Sequence, residues 1–106
     1  MFIQTMNKRK KQLKKHLGKN DVQIIDVRTE SEYNGGHIKG VENIVLTSLE
    51  NNLGKINKDK PVIVHCQSGV RAAMAYSILK RNGVKNLKMY SGGINEWTDQ
   101  ENELVK

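Results

Sequence analysis

Two short runs rich in β-branched residues constrain this chain more than any other feature. Val22 to Val27 (VQIIDV) and Pro61 to His65 (PVIVH) are too short for core helices and apolar on successive positions, the pattern of strands covered on both faces. Each run leads directly toward a helix signal. After the first, Thr29 to Glu32 spells a capping box, Thr-x-x-Glu, which opens a short helix that must end before Gly35 and Gly36. After the second comes Gly69 to Arg81 (GVRAAMAYSILKR), where Ala72, Ala75, Tyr76 and Leu79 recur at steps of three and four until Asn82-Gly83 ends the helix. Pro61 stands at the first residue of its strand, where a missing amide does least harm. Strands that alternate with helices predict an α/β fold of three layers, a parallel sheet with helices on both faces.

The weaker signals complete the alternation. Glu42 to Leu46 reads as a strand, Ser48 to Leu53 as a short helix closed by Gly54, Asn57 to Lys60 as a polar turn, Leu87 to Tyr90 as a strand, and Gly93 to Gln100 as a last helix carrying Trp97. At the other end, Phe2 to Gln4 reads as an opening strand and Asn7 to Leu17 as a helix stopped by Gly18. A length of 106 residues suits one folding unit, because dividing it would leave neither half a sufficient core. We therefore expect a single domain over 1–106 with the basic segment 1–20 included. The 37% of apolar residues suffices for a modest core and argues against wholesale disorder.

The formal charge of +7 is wholly N-terminal. Lys8, Arg9, Lys10, Lys11, Lys14, Lys15 and Lys19 lie in the first twenty residues without an acid, leaving 11 bases against 11 acids in the remainder. Such a block reads first as a solvated helix face, with weak polyanion binding through Lys8 to Lys19, to RNA or to an acidic carrier, as the sharper expectation. No apolar run approaches the roughly 20 residues that span a bilayer, and Met1 to Gln4 lead straight into charges. A soluble cytoplasmic protein with no membrane partner is expected.

Cys66 is the single cysteine, so internal disulfides and multi-cysteine zinc patterns are excluded. It occupies the first position after a strand, at the carboxyl edge where open α/β sheets bind ligands. Gln67, Ser68, Gly69 and Val70 separate it from Arg71. That short loop can curl with its amides inward, given the backbone freedom of Gly69, and the helix beginning there adds about half a positive charge. A thiol in such a place is a more available nucleophile than a free one, and Arg71 offers a planar cation to an oxyanion substrate. The bland alternative is a buried core cysteine beside an ordinary arginine.

Four segments in order, IIDVR (Ile24 to Arg28), GHIKG (Gly36 to Gly40), CQSGVR (Cys66 to Arg71) and YSGGINEW (Tyr90 to Trp97), resemble the rhodanese-like domain family of sulfurtransferases. The resemblance implies a rhodanese-like three-layer fold with a five-stranded, mostly parallel sheet flanked by helices on both faces. It also implies that Cys66 is the catalytic residue, accepting sulfane sulfur as a persulfide held by the substrate-binding loop Gln67, Ser68, Gly69, Val70 and Arg71. Mainly structural roles follow for Asp26, Arg28, His37, Gly93 and Trp97. The implied reaction moves sulfur from a small donor, thiosulfate or a persulfide, to cyanide, a small thiol or a protein thiol, with no cofactor and no metal. With one cysteine no internal thiol resolves the persulfide, so the acceptor comes from outside. One departure is Ala72, where many relatives carry Ser.

The alternatives are a non-catalytic rhodanese-like binding or regulatory module and, more remotely, phosphatase or arsenate reductase chemistry. The latter needs a wider ring than the four residues between Cys66 and Arg71 provide. A metal site of Cys66 with His16, His37 and His65 is disfavoured, since adjacent residues of a strand such as His65 and Cys66 point to opposite faces. The acids Glu30, Glu32, Glu101 and Glu103 read as helix surface.

Overall fold

The two β-branched runs lie side by side at the centre of the sheet. In a computed structural model, which describes residues 22–99 and 102–106, strands β1 (Gln23–Asp26), β2 (Glu42–Asn43), β3 (Val62–His65) and β4 (Leu87–Met89) form one parallel sheet in the order β2-β1-β3-β4. Ile24 stands opposite Ile63, and Asp26 opposite His65. The carboxyl ends of β1 and β3 therefore meet at one edge, and whatever follows each strand is brought together there.

Side chains alternate between the two faces of the sheet. Ile25, Val27, Val62, Val64, Leu87 and Met89 pack on one side with Cys66, Ala72, Ala75 and Leu79. Ile24 and Ile63 pack on the other with Ile38, Tyr90, Ile94 and Trp97. Helices cover both faces, as the alternating pattern predicts. The helix on the first face runs from Val70 to Arg81, and its buried residues, Ala72, Ala75 and Leu79, are those at steps of three and four; two of them are alanines, whose methyl groups let a helix lie close to the strands.

Each helix is bounded by local chemistry. Helix α1 (Glu30–Asn34) begins at the complete capping box of Thr29 and Glu32, an arrangement worth about 1 kcal/mol for the cap alone. Helix α2 (Val70–Arg81) ends with Gly83 at φ +87°. There the amide of Gly83 reaches the Lys80 carbonyl (3.3 Å) and that of Val84 the Leu79 carbonyl (3.1 Å), the paired bonds of a glycine-terminated helix. Buried Val84 then packs in the same cluster as Leu79. Helix α3 (Gly93–Asp99) carries Ile94 and Trp97 into the second core.

The structure revises the weaker elements. Only Glu42–Asn43 pair as β2; beyond them the Asn43 side chain donates to the carbonyls of Asp26 and Arg28, each at 3.0 Å, and the amides of Ile44 and Leu46 to those of Asp26 and Val27, each at 3.1 Å. The expected helix from Ser48 to Leu53 is replaced by two 3-10 segments, Leu46–Ser48 and Glu50–Lys55. Asn52 sits there outside helical geometry (φ −124°), as expected of a residue whose side chain competes with helix hydrogen bonds; it donates to the Ser48 carbonyl. Among the described residues the sheet has four strands. The opening strand Phe2 to Gln4 and the basic helix Asn7 to Leu17 lie outside them. No helix among the described residues is long and apolar enough to cross a membrane.

Candidate active site

Strand parity decides where Cys66 points. Val62, Val64 and Cys66 share a face, which places the sulfur beneath the start of α2. The loop between them turns at Gly69, with φ +113°. A Cβ there would lie 2.6 Å from the Ser91 carbonyl oxygen, so glycine is required both by conformation and by space. Helix α2 has no side-chain cap; the sulfur takes that place. The amides of Gly69 (3.1 Å) and Ala72 (3.3 Å) donate to Cys66 Sγ. Among the described residues no acceptor takes the amides of Ser68, Val70 and Arg71, so three donors at the same helix end remain for an incoming anion. Cys66 itself is 1% exposed.

The loop's outward side is held by a second helix start. Gly93, at φ +59°, would place a Cβ 2.4 Å from the Cys66 carbonyl oxygen and 2.7 Å from that of Gln67. Without one, the amides of Ile94 and Asn95 donate to those two carbonyls, each at 3.0 Å. The carbonyls of residues 66 and 67 are thus satisfied away from the sulfur, which leaves the amides of the loop on its side. The resemblance gives Gly93 a structural role without saying what it holds; its partner, Cys66, lies 27 residues back in the sequence.

A buried ionic frame supports the loop from the far face of the sheet. Asp26 and Arg28 are 0% and 3% exposed and joined by paired hydrogen bonds of 3.0 and 2.8 Å to one carboxylate oxygen. Arg28 also donates to the Gly36 carbonyl (2.8 Å) and to Gln67 Oε1 (3.2 Å), and Gln67 Nε2 donates to Asn95 Oδ1 (2.7 Å). Gln67 thereby ties the thiol loop to the frame and to α3. His65 lies on this face, opposite Cys66, with Nε2 4.0 Å from Asp26 Oδ2. Burial pushes its pKa down, so the ring is neutral and serves as packing for Tyr90. Among the described residues no three His, Cys, Asp or Glu side chains lie together as a metal-binding group; His16 lies outside those residues.

Arg71 is engaged more closely than its place in the loop suggests. It grips Glu32 with two parallel hydrogen bonds, 2.6 and 3.0 Å, and Glu32 is the residue that completes the capping box of α1. Reading Glu32 as simple helix surface is corrected by this pairing across 39 residues. The bond to Arg71 holds the Glu32 carboxyl at a pKa of about 2, below its ordinary 4.5. The same bond raises the pKa of Arg71, and Cys66 contributes in the same direction. Ser68 and Val70 are exposed, and Gln67 is half-buried.

The fold and site define a parallel α/β domain whose one cysteine offers its sulfur to the amides at a helix start, at the carboxyl edge of the sheet. The Rhodanese-like domain profile matches residues 9–100, and the chain belongs to that family. It is 40% identical over 80 residues to the uncharacterized protein YqhL of Bacillus subtilis, covering 76% of this chain and 64% of that one; the chain thus spans less than two thirds of that relative's length. It is 32% identical over 76 residues to the thiosulfate sulfurtransferase GlpE of Shewanella oneidensis, covering 72% of this chain and 75% of that one. Among solved structures, SSP1007 of Staphylococcus saprophyticus superposes with a TM-score of 0.80 at 33% identity over the whole of both chains.

Proposed function

We propose that this domain is a sulfurtransferase that carries sulfane sulfur on Cys66. The observation that carries the reading is the pair of amide hydrogen bonds from Gly69 and Ala72 to Sγ, at a helix start that stabilises negative charge. In the first half-reaction the thiolate attacks the sulfane sulfur of thiosulfate; its S–S bond breaks, sulfite leaves with the electron pair, and Cys66 holds a persulfide. In the second, cyanide or an external thiolate attacks the terminal sulfur, the bond to Cys66 breaks, and the thiolate returns as thiocyanate or an acceptor persulfide departs. The amides of Ser68, Val70 and Arg71 suit the donor's oxygens. Arg71, already balanced by Glu32, contributes less charge than a bare guanidinium and ties α2 to α1.

One observation favours the non-catalytic reading, namely that Cys66 is 1% exposed and shares its surroundings with the apolar cluster of α2. Incubating the pure protein with thiosulfate, weighing it intact and then assaying thiocyanate on addition of cyanide separates the two. A gain of one sulfur atom and thiocyanate release are expected; absence of both assigns the domain to binding instead.

A further inference from the structure

We propose that the outward face of α2 is a docking surface for an acidic protein that accepts sulfur from Cys66. The inference rests on the sulfurtransferase reading and names the class of acceptor. With a single cysteine the persulfide must meet an external thiol, and the surface around the loop selects which thiol approaches.

Helical spacing sets Val70, Met74, Ser77 and Arg81 on one stripe, opposite the buried Ala72, Ala75 and Leu79. Val70 is 68% exposed and Met74 55% exposed, the two most exposed large apolar residues described. Val70 directly follows Gly69, whose amide reaches the sulfur, and Met74 lies about 6 Å further along the axis. Single exposed apolar residues are ordinary, but a pair one turn apart at the rim of a reactive loop is suited to a transient partner, and methionine adapts to varied surfaces.

Charge supplies the second argument. Helix α2 itself carries three basic residues, Arg71, Lys80 and Arg81, and no carboxylate. Glu32 balances one of them, Arg71; Arg81 stands exposed at the far end of the stripe. The surface therefore runs from apolar contact beside the sulfur to positive charge one helix length away. It complements a protein whose acceptor thiol is flanked by an apolar side chain and, further off, by acidic groups.

A fluorescein-labelled peptide tests this, with serine in place of the acceptor cysteine, a neighbouring leucine and two glutamates about five residues on, matching the roughly 16 Å from Val70 to Arg81. By fluorescence anisotropy at low salt, it is expected to bind about tenfold tighter than the same peptide with lysines for glutamates. Met74→Gln and Arg81→Glu, both at exposed positions, should each weaken it about three- to tenfold with an unchanged circular dichroism spectrum. No measurable binding, equal affinity for the two peptides, or indifference to both substitutions overturns the docking surface. The cysteine form of the peptide is then added to protein loaded with thiosulfate, and Arg81→Glu should slow transfer to it about tenfold while leaving transfer to cyanide unchanged; equal slowing of both acceptors also overturns it. A protein that takes up no sulfur defeats the sulfurtransferase reading alone, since peptide binding still decides the surface.

Discussion

Two glycine-led helix starts meet at the loop after β3, and they spend their amides differently. At α2, behind Gly69, the donors of Gly69 and Ala72 go to a side-chain sulfur, and three neighbouring amides have no acceptor among the described residues. At α3, behind Gly93, the donors of Ile94 and Asn95 go to the backbone carbonyls of Cys66 and Gln67. In the proposed function the first start serves chemistry; the second serves construction. A helix end whose donors are satisfied by backbone contributes stability; one closed by a reactive atom retains capacity for an anion.

The contrast can be broken most directly at the sulfur. Cys66→Ser keeps an acceptor for the α2 amides but removes the nucleophile, so thiocyanate formation should fall on the order of a thousand-fold or more while thermal stability changes little. A Tm loss as large as that of the glycine variants would mean that Cys66 is a structural residue. Gly93→Ala should cost about 2–3 kcal/mol, a fall in Tm on the order of 10 °C, because its Cβ meets carbonyl oxygen from a left-handed conformation. Gly69→Ala faces a comparable clash with Ser91, yet should lose more sulfur uptake for each degree of Tm, since its own amide bonds the sulfur. If both variants fall on one line of activity against Tm, the distinction between the two helix starts is lost.

Arg71 and Glu32 sharpen the picture with smaller effects. Arg71→Ala should lower turnover of thiosulfate about tenfold and that of an uncharged organic persulfide less; equal losses would show that Arg71 acts only by tying α2 to α1. Glu32 has a folded pKa of about 2 against an ordinary 4.5. A depressed carboxyl stabilises the fold fully above its unfolded pKa, and that contribution is lost as pH falls from 4.5 toward 2. Subtracting the Tm profile of Glu32→Gln from that of the parent should therefore give a step confined to that interval. A flat difference would show that the ion pair, about one third exposed on each side, is screened into insignificance.

How much of this was legible beforehand depended on the distance between cause and effect along the chain. The strand, loop and helix around Cys66, the capping box at Thr29, the end of α2 at Gly83 and the opposite facing of His65 and Cys66 all follow from residues within a few positions of one another. The failures were of two kinds. Glu42 to Leu46 and Ser48 to Leu53 carry weak local signals, and in each an asparagine, Asn43 or Asn52, donates to backbone carbonyls. Glu32 and Gly93 carry clear signals, but their partners are far away in sequence.

The amino-acid order by itself determined the alternation of strands and helices, the face on which the thiol lies and the curl of its loop, because periodicity and turn chemistry act over a few residues. Only the tertiary structure decided that Glu32 would hold Arg71 and that α3 would take the carbonyls of Cys66 and Gln67. Those contacts exist because the sheet sets β1 and β4 on either side of β3, bringing the segments that follow all three to one edge, and the pairing of strands is a sum over the whole core rather than a property of any one segment.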